Sequence, residues 1–288
     1  MTIVATCATI ALALMSAKGG ETINLKGDCP QTTIRAKPAR IVTVNAGGAT
    51  VRGLWFVNAA NIRWRSGTIR APKGALASSG DGYGALVRGS TNIRFDGVLF
   101  TDAKKALVTD DTDRVTIADS RFLRYGEDGI IANRTRGLTV VRNRFGEIVG
   151  KPTECTVAGG VLPGLAKRDC DAQGGAWIDG FHADAVQMRN ATTDVLIADN
   201  VVAGLTQGLT QMDTTGDAPL QRVRIVGNTV TADAHHISLG SNCEGCAIER
   251  NTVRRWSTSS YRAVIRPGAA RRCGNDVQDE KSDGGCSQ

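Results

Sequence analysis

At 288 residues the chain can bury a full core, as one large domain or two small ones. Aromatic residues make up only 5%, and 7 prolines stand against 34 glycines, which suits short strands with tight corners and argues against a helix bundle. The net charge of +7, carried mainly by arginine, points either to an anionic partner or to a solvated basic surface.

The chain starts with the apolar run IVATCATIALALMSA, which ends in small residues. No Lys or Arg precedes Lys18, so the basic region of a signal peptide is missing. The run is also shorter than the roughly 20 residues of a membrane span. A short apolar helix over 2–18 is expected, capping the open end of the fold, any export signal having been removed. AKGGETINL then passes through a Gly-Gly turn into a strand that alternates Ile23 and Leu25.

From residue 64 one pattern recurs seven times, an apolar residue followed by a small or Asn corner and a second apolar residue. The copies begin at Trp64, Phe95, Ile117, Val140, Ile197, Ile225 and Ile248, with steps of 31, 22, 23, 57, 28 and 23 residues. A step of 22 or 23 is too short for a strand-helix crossover with its loops, but fits one turn of a coil of short strands. Longer steps mark coils that carry insertions. Asn143, Asn200, Asn228 and Asn251 share the corner position. Asn tolerates left-handed backbone there, and its amide can bond to the next Asn along the stack. No coil buries its apolar face alone, so stacking the coils makes the core.

These repeats, with the AKGGETINL opening, resemble the right-handed parallel β-helix of the pectate-lyase-like superfamily over about residues 5 to 266. The resemblance implies an all-β solenoid of one domain, with an N-terminal capping helix, and a polar tail over 267–288 lying along the outside. That scaffold serves lyases, hydrolases, epimerases and adhesins, so it leaves the chemistry open.

Stacked coils allow a second alignment. The apolar residues Leu107, Ile130, Val186, Leu209, Ile237 and Val264 are expected to point inward together. Two residues before each stand Lys105, Asp128, Asp184, Gln207, His235 and Arg262. Simple alternation would bury these six with the core, which no core tolerates for so many charges. They are therefore expected at the corner before each strand, reaching solvent in a ladder along one edge. A plain reading is a polar corner with paired charges. The functional reading is an acid-base site, because His182 lies on the same edge as Asp184, and Gln187 faces outward with Thr210 and Ser238 as counterparts.

Two strands carry a local resemblance to polygalacturonase-type glycoside hydrolases. AHHISLGS (234–241) is similar to their G-H-G-I-S-I-G-S strand, which implies an active-site role for His235. HADAVQM (182–188) is similar to N-T-D-G-I-D-I, which implies that Asp184 is catalytic. Where that family has an Asp-Asp pair, this chain has Gln207-Gly208.

The segment 148–178 is the largest departure from the coil period and is expected to form a loop walling the groove, with Trp177 able to stack on a sugar or pack the loop down. Eight cysteines indicate an oxidising compartment. Proximity pairs Cys7 with Cys29, Cys155 with Cys170, Cys243 with Cys246, and Cys273 with Cys286. The CEGC at 243–246 read as half of a zinc site is the weaker alternative.

A column of cations and histidines with few acids favours β-elimination on a uronate-containing polysaccharide. Arg262 or Lys105 would neutralise the sugar carboxylate, and His182 or His235 would move protons beside Asp184. Asp128, Gln187, Gln207, His236 and Trp177 are the expected substrate contacts. Hydrolysis by Asp128 and Asp184 is the first alternative, and non-catalytic polysaccharide binding the second. The pectate-lyase resemblance adds a possible Ca²⁺ shared by Asp128 and Asp184. The expected setting is secreted or periplasmic, as a monomer acting on an acidic polysaccharide, with no nucleic-acid or membrane partner.

Overall fold

Strands along the chain pair in parallel with the strand one coil later, and 24 of them join into one sheet. The computed structural model describes residues 2–75, 82–148, 154–157, 160–163, 169, 172–174, 176–178, 183–204, 206–211, 219–259 and 261–286. Register partners run Ile23, Val44, Trp64, Phe95, Ile117, Val140, Ile197, Ile225, Ile248 and Arg272. All seven repeats therefore stack as their spacing implies, and coils also precede and follow them.

Apolar residues pack in files down the interior. Phe100, Phe122 and Phe145 stack face to face with centroids 4.6 Å apart, close to the roughly 4.8 Å between strands. The file continues through Val202, Val230, Val253 and Val277. Leu99–Ala118 and Arg121–Val141 each run through several faces of the coil, bending at positive-φ residues such as Asp111 and Arg134.

The asparagine corner works differently from the expectation. Left-handed backbone falls on the residue before each Asn, namely Arg142, Asp199, Gly227 and Arg250. The Asn side chains turn inward instead. Asn143 Nδ2 donates to Asn200 Oδ1 at 3.0 Å, Asn200 to Asn228 at 2.9 Å, and Asn228 to Asn251 at 2.9 Å. Each Oδ1 also accepts the backbone N–H of the preceding column member, and each Nδ2 also donates to a backbone carbonyl. Asn275 extends the ladder by one coil. Burying these amides is tolerable because each is bonded on both ends.

Two termini depart from the expected layout. The cap over 2–18 is a strand and a helix: Thr2–Ala5 pairs with Thr22–Cys29, and Ile10–Ser16 buries Ile10 and Leu14 over the end of the core. The tail does not simply lie outside. Arg271–Cys273 and Asp276–Val277 pair with Ala247–Glu249 and Thr252–Arg255 as a further coil. Arg272 there is bound to Glu280 at 2.6 Å and Asp283 at 2.8 Å, which closes the tail onto this last coil.

Three of the expected disulfides are present, Cys7–Cys29, Cys243–Cys246 and Cys273–Cys286. The second pair uses both CEGC thiols, so the zinc alternative falls. The pairing of Cys155 with Cys170 lies outside the described residues. Within the insertion, Glu154–Val157, Gly160–Pro163 and Ala176–Ile178 form a small antiparallel sheet, which the loop reading did not anticipate. No helix among the described residues is long and apolar enough to cross a membrane.

Much of the arginine meets an aspartate one coil away. Arg142 pairs with Asp119 at 2.7 Å, Arg124 with Asp102 at 2.7 Å, and Arg222 with Asp194 at 2.6 Å. Exposed pairs of this kind stabilise little individually. They neutralise charge locally, and the net excess of +7 remains after such pairing.

Candidate active site

The ladder of register partners is Tyr83, Lys105, Asp128, Asp184, Gln207 and Ala234. Four of the six expected positions therefore line up. His235 does not, because a register shift after Gln207 pairs that residue with Ala234, and His235 takes a positive φ of 45°. Arg262 also leaves the column. Ile237 pairs with Ile265 rather than Val264, which puts Ala263 at that level. His235 and Arg262 still meet in one depression further along, with Tyr261, Arg266 and Glu280. There Arg266 Nη1 lies 3.2 Å from His235 Nδ1. An arginine only donates, so that nitrogen accepts and His235 carries its proton on the other.

The acids are not solvent-facing, contrary to expectation. Asp128 is 1% exposed and Asp184 2%. Nor do they enter the core, and the residue between ladder and core explains why. A Cβ at Gly129 would lie 2.6 Å from Ala185 O, and one at Gly208 1.8 Å from His236 O. Coils approach closely here, and Ala106 and Ala185 join the core beside Leu107 and Val186. Two successive core-facing residues break the strand alternation and return Asp128 and Asp184 to the outer face. The same closeness bars a side chain at Gly208, where the hydrolase resemblance would need its second Asp.

On that outer face Gln187 Nε2 donates to Asp184 Oδ2 at 2.6 Å, and Thr210 Oγ1 donates to Oδ1 at 2.9 Å. A carboxylate holding two donors is favoured in its charged form. Asp128 sits in the opposite environment. Burial, then the Asp184 and Glu127 charges, push its carboxyl up to about 7 against the pull of Lys105. Glu127 itself pairs with Lys104 at 3.4 Å and Lys105 at 3.5 Å. Tyr125 lies buried near both acids, and burial raises its phenol.

Gln187 and Gln207 hold their expected places beside the acids. His236 does not: it is 0% exposed among core residues, and burial pushes its imidazole below the ordinary value. Its expected substrate contact is therefore not seen; its backbone carbonyl is where the neighbouring coil approaches Gly208 closely. Trp177 lies on the strand Ala176–Ile178, opposite Cys155, but its side chain, like all of His182, is outside the described residues. Residues the sequence reading passed over are Lys104, Glu127, Tyr125 and Arg189. Glu127 was legible as the neighbour of Asp128, and Arg189 as the next outward position after Gln187.

The donor set does not suit Ca²⁺, which takes six to eight oxygens. Asp184 already accepts from Gln187 and Thr210, and Glu127 is held by two lysines. Among the described residues no group of three or more His, Cys, Asp or Glu is placed to hold a metal ion.

No family model matches the chain, and no curated protein matches it. Among solved structures it is similar to the Dettilon tailspike protein gp208, at 14% identity and a TM-score of 0.55, covering 93% of this chain and 56% of that one. The chain is a right-handed parallel β-helix. It spans little more than half the length of that tailspike chain. Other matches are the surface adhesin PfbA of Streptococcus pneumoniae (13% identity, TM-score 0.36, 85% of this chain and 81% of that one) and an alginate lyase from Paenibacillus (12%, 0.34, 96% and 99%). At such identities the likeness concerns the β-helix backbone alone, and the chemistry must come from the site.

Proposed function

We propose that this β-helix is a secreted enzyme that cleaves an acidic polysaccharide, with Asp128 as proton donor and Asp184 as its ionised partner. The carrying observation is the divergence of two adjacent carboxyls. Asp184 accepts hydrogen bonds from Gln187 and Thr210, which favour a carboxylate, while burial and the neighbouring charges push the Asp128 carboxyl up to about 7. Two carboxyls pushed apart in this way are the apparatus of glycosidic bond cleavage. The ladder crosses several coils in a straight line, which suits a polymer laid along the helix axis. The basic excess suits a polyanion, and three disulfides suit an oxidising compartment.

In hydrolysis Asp128 gives its proton to the departing glycosidic oxygen as that bond breaks. Asp184 stabilises the positive charge developing at the sugar, or bonds to the anomeric carbon. Once that sugar has left, water attacks the anomeric carbon and gives a proton to Asp128, and where Asp184 has bonded there the carbon–oxygen bond breaks to release its carboxylate. The acids are register partners on successive coils, roughly 4.8 Å apart at the backbone.

β-Elimination is a second reading, favoured by Lys104 and Lys105 beside the pair. Their ammonium groups can neutralise a uronate carboxylate, Asp184 can take the proton at C5, and Asp128 can protonate the leaving oxygen. A time course on pectate, alginate, glucuronan and bacterial exopolysaccharides separates the two. Reducing ends without ultraviolet absorbance mean hydrolysis, and both together mean an unsaturated uronate from elimination. Neither signal on the panel would count against an enzyme acting on these polymers.

A further inference from the structure

Asp184 accepts from two donors of different character. Thr210 offers a hydroxyl, which can rotate to donate or accept. Gln187 offers an amide, whose two ends are opposite in function. If its NH₂ faces Asp184 it stabilises the carboxylate; if its oxygen does, it favours the protonated acid. Something must fix the amide's orientation. Arg189 stands two positions along the same outward face, and its Nε lies 2.5 Å from Gln187 Oε1. A guanidinium has donors only, so it requires the amide oxygen on its own side. The NH₂ is then committed to Asp184 Oδ2, 2.6 Å away.

We infer that Arg189 is a positioning residue: by holding the Gln187 oxygen it keeps the amide NH₂ on Asp184, and so decides which carboxyl of the pair carries the proton. The inference rests on the acid-base reading of that pair. Among the described residues, the other charged groups facing the acids do not discriminate in the same way. Glu127 and Lys105 act on Asp128 from its own side, and Tyr125 is neutral beneath both. None of them touches the amide. Without Arg189 the Gln187 amide is free to rotate by half a turn, after which Asp184 becomes the better proton acceptor and Asp128 ionises first.

The test is a carboxyl ¹³C NMR titration of the full chain labelled at aspartate, with the Asp128 signal assigned by its loss in Asp128→Asn. Arg189→Met removes the guanidinium but keeps an unbranched side chain. The Asp128 midpoint is expected to fall by about one pH unit or more, and Arg189→Lys, still a donor, to restore much of it. The limb of the pH–kcat/KM profile set by the acid should move with the midpoint. Gln187→Met, which removes the amide itself, should shift the midpoint in the same direction and stands in if Arg189→Met folds poorly. A midpoint unchanged in both Met variants overturns the inference. A midpoint that shifts in a protein cleaving nothing on the panel supports the positioning role and overturns the functional reading instead.

Discussion

The backbone N–H of Asp184 donates to Oδ1 of Asp128 at 3.3 Å, linking the two acids across adjacent coils. That bond favours a charged Asp128, yet burial and the neighbouring charges prevail and hold its carboxyl at about 7. A group with this balance changes protonation in the range where most enzymes work, and its removal has a defined signature.

Asp128→Asn should lower kcat by on the order of 10²–10⁴. It should also raise stability at pH 8 while leaving it nearly unchanged at pH 4. The folded carboxyl titrates near 7 and the unfolded one near 3.8, so wild type loses stability as pH rises between those values. That gap sets a ceiling of about 4 kcal/mol at about 1.36 kcal/mol per pH unit. Urea denaturation of both proteins at the two pH values measures it; a difference between Asp128→Asn and wild type that does not grow from pH 4 to pH 8 would show that Asp128 is not held protonated.

Activity should follow the same proton. If Asp128 is the donor, kcat/KM falls about tenfold per pH unit above 7, and Asp128→Glu retains a basic limb at a different position. The full profile on the best substrate of the panel gives the limb. Chelation with EDTA should leave the rate unchanged, since the oxygens near Asp128 and Asp184 are engaged by Gln187, Thr210 and the lysines.

His236 carries the opposite pH dependence. Its folded imidazole is held below the ordinary value by burial, so it resists protonation that the unfolded chain accepts. Stability from this residue is present above the unfolded value of about 6.5 and is lost as pH falls below it. Melting temperatures of wild type and His236→Leu between pH 7.5 and 5 should converge as the pH drops. Parallel curves would rule the effect out.

Gly208→Ala should destabilise the fold by about 1–3 kcal/mol or more, because the new methyl would lie 1.8 Å from His236 O. Its φ is not in the left-handed region, so the cost is contact alone. Gly284→Ala, where nothing lies within 4 Å, is the control and should change little.

In the asparagine ladder, Asn200→Ala takes the side-chain partner from the Asn143 backbone N–H and the Nδ2 donor from Val140 O, and removes one of two partners from the Asn143 amide and from the Oδ1 of Asn228. The expected loss is about 2–4 kcal/mol by chemical denaturation, since each orphaned buried group costs about 1–3 kcal/mol. An effect below 1 kcal/mol would mean that water or a neighbour replaces the amide.

The stacking of coils was readable from Trp64 to Ile248 because an apolar residue that must point inward recurs at a nearly constant step, and a parallel sheet turns that step directly into register. Lys105, Asp128, Asp184 and Gln207 followed from the same counting. Counting failed where the backbone departs from regular geometry. One residue at the shift after Gln207 removed His235 from the column, and one more before Ile265 removed Arg262.

What residue order determined by itself was therefore the solenoid and the stacking of Lys105, Asp128, Asp184 and Gln207, since these depend on periodic burial along one dimension. What only the tertiary structure decided was the direction and charge of each side chain. Close approach at Gly129 and Gly208 turned the acids outward, and burial beside Asp184 pushed the Asp128 carboxyl up to about 7. Those outcomes depend on distances between coils and on exclusion of water, which belong to the stacked chain and to no single stretch of it.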